Sequence, residues 1–88
     1  MAQTIEQVAV AYYNHNSKVI NHKLDTVDTE DASAQYQEMA KFVTPAIAKA
    51  FAHRMEVKFL KQFDAVVAVL DVYRGTATPS EYQTSVDF

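Results

Sequence analysis

The chain has 88 residues, which is one domain by any length prior, and it has no cysteine, so neither a disulfide framework nor a cysteine-ligated metal site can brace its thin core. A single glycine, two prolines and 49% hydrophobic residues exclude a turn-rich all-β architecture and point to helices. The formal charge of −3 argues against sequence-independent attraction to nucleic acid, which depends on neutralising many phosphates.

Thr4-Ile5-Glu6-Gln7 has the form of a capping box, so a first helix is expected from Ile5 to about Asn21 or Lys23. Ile5, Val8, Ala9, Tyr12, Val19 and Ile20 recur at helical spacing and form its apolar stripe. Asn16 falls inside that stripe, either as a tolerated polar residue or as one with its own hydrogen-bonding role. His15 and His22 lie near one edge of the stripe, about 10 Å apart along the axis, too far to share one metal ion without help from another helix.

Residues 24–30 combine turn formers with Asp25, Asp28, Glu30 and Asp31 nearby, and read as a loop whose acids suit the N-terminus of the next helix. A calcium loop would need a glycine at its sharp turn, and none is present. A second helix is expected from Ala32 to Val43, with Tyr36, Met39 and Phe42 on its apolar side. Thr44-Pro45 then marks a boundary, with Thr44 as cap and Pro45 at the first helical position; a kink within one continuous helix is the alternative.

From Pro45 no glycine or proline appears until Gly75, which permits a third helix of about 29 residues, roughly 43 Å long. Its seam would contain Ile47, Phe51, Met55, Phe59, Phe63, Val66, Leu70 and Tyr73. A strand over Ala65–Tyr73 is the rival reading of the valine-rich run. Thr78-Pro79-Ser80-Glu81 has the cap signals of a short terminal helix reaching about Ser85.

The expected fold is therefore all-α, a small helical bundle with two shorter helices packed along one long helix plus a short C-terminal helix. Residues 1–75 would form the bundle and 76–88 a tail. The opening residues have no basic start or apolar run, and no apolar stretch is long enough to span a bilayer, so a cytoplasmic protein without membrane attachment is expected.

Few side chains offer chemistry. His53 and Glu56 would be helical neighbours able to present two metal ligands, which makes a small metal protein or enzyme one alternative. The expectation is instead a protein that is not an enzyme and needs no cofactor: an interaction module, a small regulator or inhibitor that binds another protein. On a continuous helix Arg54, Lys58 and Lys61 would form a basic stripe beside the aromatic seam and would be its partner-binding residues, unless they are simply a solvated face. Val66, Val69, Leu70, Val72 and Tyr73 spread around the helix more widely than one partner helix could cover, and are expected to join two copies in a homodimer. A structural subunit that self-associates through the long helix is the other alternative.

Overall fold

The computed structural model describes residues 2–27 and 30–76. Four helices follow one another: α1 (Ile5–Leu24), α2 (Ala32–Ala40), α3 (Pro45–Arg54) and α4 (Gln62–Arg74). The architecture is an all-α bundle in which the longest helix, α1, packs against each of the other three. The cap signals at Thr78 and Asp28 of the acidic loop lie outside the described residues.

Three of the helix starts are dictated locally. Thr4 accepts from the Gln7 backbone N–H at 3.2 Å while the Gln7 side chain accepts from the Thr4 N–H at 2.8 Å, a reciprocal box that satisfies two otherwise orphaned donors. Asp31 accepts from the Ala34 N–H at 3.0 Å, and its charge also suits the positive end of the α2 dipole. Thr44 caps α3 through the Ile47 N–H at 3.3 Å, with Pro45 following at the first helical position.

α1 is kinked at Asn16, where φ and ψ leave the helical region. The Asn16 side-chain amide donates to the Tyr12 carbonyl at 3.0 Å, competing for an acceptor that a regular helix reserves for its own backbone. Tyr13 and Asn21 hydrogen-bond through their side chains across the bend, which ties its two arms together. Asn16 thus has the specific role that its place in the apolar stripe left open.

The largest departure from expectation is the third helix. Instead of running from Pro45 to Gly75, it stops at Arg54, and a new helix begins at Gln62. The stop is a Schellman motif: the Val57 N–H reaches the Ala52 carbonyl at 3.0 Å and the Glu56 N–H reaches that of His53 at 3.1 Å. Glu56 sits at φ 56°, a left-handed conformation that normally selects glycine. α4 ends in the same motif, with Gly75 at φ 77° and the Thr76 N–H on the Asp71 carbonyl at 2.9 Å.

Breaking the helix lets α3 and α4 both return to α1, so one core collects all four helices. Val8, Tyr12, Ile20 and Leu24 of α1 meet Met39 of α2, Phe51 of α3 and Val66 and Val69 of α4. The Tyr12 ring stands edge-on to that of Phe51 at 5.6 Å. The carbonyls left over where α2 ends are also used: the Gln62 amide donates to those of Val43 at 2.9 Å and Ala40 at 3.3 Å, and the Tyr12 hydroxyl to that of Phe42 at 3.1 Å.

Candidate interaction surface

Apolar side chains that cluster in water, unlike single scattered ones, mark a candidate interaction surface. Among the described residues the exposed large apolar side chains are Val19, Val57, Phe59 and Phe63, and three of the four fall between residues 57 and 63. These belong to the α3–α4 connection and the first turn of α4. Phe59 is 73% exposed, and Phe63 is 58% exposed, its ring tilted against that of Tyr36 with centroids 5.3 Å apart. On one continuous helix both would fall on its apolar seam; with α3 ended at Arg54, that register no longer applies to them.

The same break redistributes the basic residues. Arg54 is the last residue of α3, where its carbonyl accepts from the Gln3 N–H at 3.4 Å; Lys58 lies in the connection; Lys61 is the N-cap position of α4, with no side-chain cap bond. They do not form a stripe on one helix. A basic surface is nonetheless built, with Lys49 as its hinge. Lys49 and Lys58 line a hollow of about 390 Å³ together with Pro45, Ala52, Phe59 and Leu60. On its other side Lys49 joins His53 and Arg54 around a shallower depression of about 670 Å³ on α3. Lys49 stood outside the expected stripe, although its four-residue spacing to His53 places the two on one face of α3.

A second and differently charged concavity adjoins it. A groove of about 650 Å³ runs between the start of α1, the connection and α4. Its floor is apolar, with Ile5, Met55, Leu60, Phe63, Val67 and Ala68, and its charged lining residues, Glu6, Asp64 and Asp71, are all acidic. Leu60 lines both this groove and the basic hollow, so the two share a wall.

The other expected sites are rearranged too. Val66, Val69 and Leu70 are buried inside the chain, and Val72 and Tyr73 are partly buried against the same core. The wide apolar arc on this segment does need more than one partner, but α1 and α2 of the same chain supply them. The Tyr73 hydroxyl donates to Asp25 at 3.2 Å; burial, followed by this bond and the Asp25 charge, pushes its phenol up from 10.0. His53 and Glu56 are not successive ligands on a helix face, because Glu56 lies beyond the helix end. Among the described residues no three His, Cys, Asp or Glu side chains are grouped so as to hold a metal ion, and no helix is long and apolar enough to cross a membrane.

Gln35 of α2 is a buried polar residue that the sequence pattern did not single out. It is 3% exposed, and its side-chain oxygen accepts from Arg74 Nη2 at 2.7 Å and Nε at 3.1 Å, joining α2 to the end of α4. Its four-residue spacing to the buried Met39 puts it on the inward face of α2, which was the available signal.

No known protein family, curated protein or solved structure matches this chain.

Proposed function

We propose that this protein is a noncatalytic interaction module, a small regulator or inhibitor that binds an acidic and partly apolar protein surface through the corner formed by Lys49, Lys58, Phe59 and Lys61. The observation that carries the reading is the 73% exposure of Phe59 in a segment with lysines on both sides. A projecting aromatic ring is the kind of group that supplies most of the affinity when a partner encloses it, and neighbouring cations steer the encounter. A nucleic acid is the poorer fit, since the acidic groove beside this corner and the overall charge of −3 would repel a phosphate backbone. A cytoplasmic location accords with a cysteine-free chain, which has no need of an oxidising compartment.

The test is a comparison of stoichiometric partners captured by the wild-type chain and by a variant carrying Lys49→Glu, Lys58→Glu, Phe59→Ser and Lys61→Glu. The expected result is loss of the partner with an unchanged far-ultraviolet circular dichroism spectrum. Equal capture by both proteins would place the contact surface elsewhere.

A further inference from the structure

The basic corner and the acid-rimmed groove are complementary in both respects that matter for association. The corner offers a projecting aromatic ring with cations beside it, and the groove offers an apolar floor with three carboxylates around it. They cannot satisfy each other within one molecule, because they lie side by side with Leu60 as their common wall. Two adjacent patches of opposite character can form one self-complementary surface: rotation by half a turn about an axis between them lays the knob of each copy over the groove of the other.

We infer that the partner surface is supplied by a second copy of this chain, with Phe59 of each protomer entering the groove between Phe63, Val67 and Leu60 of the other. Lys58 and Lys61 of one copy then face Glu6, Asp64 and Asp71 of its partner, and the contact is made twice. This inference rests on the reading of the Phe59 corner as an interaction surface, and it names the occupant. It differs from a dimer built on the valine-rich face of α4, whose Val66 and Val69 are already consumed by the chain's own core.

The charges permit a decisive exchange. One full-length variant carries Lys58→Glu and Lys61→Glu, so that knob and groove are both acidic. A second carries Glu6→Lys and Asp71→Lys, so that the groove becomes mainly basic while Asp64 is kept; because Glu6 is the acidic residue of the first turn of α1, as Asp64 is of α4, circular dichroism first establishes that this variant keeps its helices. Sedimentation equilibrium of the wild type should give a closed dimer. Each variant alone should show a dissociation constant raised by at least about tenfold, since every substitution acts at both copies of the contact. Mixed in equal amounts, the two should form a heterodimer of near wild-type strength, because both contacts are then attractive.

Phe59→Ser serves as the independent check, because an exposed residue can be truncated without unfolding the bundle. It should weaken the dimer by about tenfold or more, as expected for loss of a central aromatic anchor. A wild type that remains monomeric at its highest soluble concentration overturns the inference. So does a series of species larger than the dimer, which would mean a head-to-tail contact, and so does a mixture of the two charge variants that fails to combine. These failures leave the corner free for an unlike partner, whose capture by wild type and loss in the fourfold corner variant tests the underlying reading separately.

Discussion

The Tyr12 hydroxyl donates to the main-chain carbonyl of Phe42 at 3.1 Å, across 30 residues of sequence. This bond fastens the middle of α1 to the turn between α2 and α3, and it accepts the burial of a phenol in return for satisfying a carbonyl that no helix uses. Tyr12→Phe keeps the ring against Phe51 and removes the hydroxyl that makes this bond. It should lower stability by about 1 kcal/mol, or roughly 4–8 °C in melting temperature for a domain of this size. Thermal melts of the two proteins at neutral pH make the comparison.

The same residue sets an alkaline limit. Burial pushes the Tyr12 phenol up from 10.0, and Tyr73 is raised in the same direction, by burial first and by Asp25 after it. A group whose pKa is higher in the folded state holds its proton more tightly there, so its contribution to stability is complete below the unfolded value of 10.0 and is lost as pH rises through the folded value. Urea midpoints should therefore fall above pH 10, and Tyr12→Phe should flatten that decline. An unchanged slope in the variant would show that other groups govern it.

Glu56 and Gly75 occupy equivalent positions at the ends of α3 and α4, both left-handed. A side chain costs energy there, and glycine does not. Glu56→Gly should stabilise the chain by about 0.5–1 kcal/mol, and Gly75→Ala should destabilise it by about 1 kcal/mol even though nothing lies within 4 Å of the added methyl group. Chemical denaturation midpoints shifting in opposite directions are the expected outcome. A loss of stability on Glu56→Gly would mean that the glutamate side chain compensates for its backbone.

These two helix ends also explain how far the fold was legible in the sequence. Capping is a local interaction written in a few residues, so the starts at Thr4 and Thr44 were readable, and the all-α class followed from the scarcity of glycine and proline. The end of α3 was not readable, because its left-handed position carries a glutamate and Met55–Lys61 contains no residue that announces a break. Every assignment that depended on helical register through that segment moved with it. Arg54, Lys58 and Lys61 lost their common stripe, and Phe59 and Phe63 parted from the seam they would share with Val66 and Leu70, turning outward while those two and Val69 entered the core. The α2 helix also ended at Ala40 rather than Val43, where its last carbonyls find Gln62 instead of further backbone.

Arg74 reaches back to the buried oxygen of Gln35 with two donors. Arg74→Ala removes both and should cost about 1 kcal/mol, a figure reduced from the usual strength of a charged hydrogen bond because the arginine is itself exposed. Gln35→Met replaces the buried amide with an apolar chain of similar length, so the double variant should recover part of the loss. A double-mutant cycle by urea denaturation measures the coupling, and strictly additive effects would show that the contact contributes nothing to stability.

Val69 and Phe59 provide the sharpest contrast between core and surface. Val69 has no exposed area and lies among residues of the shared core, whereas Phe59 projects into water. Val69→Asp places a carboxylate where no cation or donor is provided, at a cost of several kcal/mol against a total of about 5–15 kcal/mol for a small domain. The expected result is loss of cooperative melting and of helical dichroism. Phe59→Ser should change stability by less than about 0.5 kcal/mol, because no enclosed contact is broken within the chain. Circular dichroism separates unfolding from dissociation, and sedimentation of the same samples reports the association state. If Val69→Asp instead stays fully helical and merely dissociates, the valine-rich face of α4 is an interface between copies and Phe59 is not the anchor. If the wild type is dimeric, Val69→Asp unfolds and Phe59→Ser stays folded with a weakened dimer, association runs through the connection between α3 and α4.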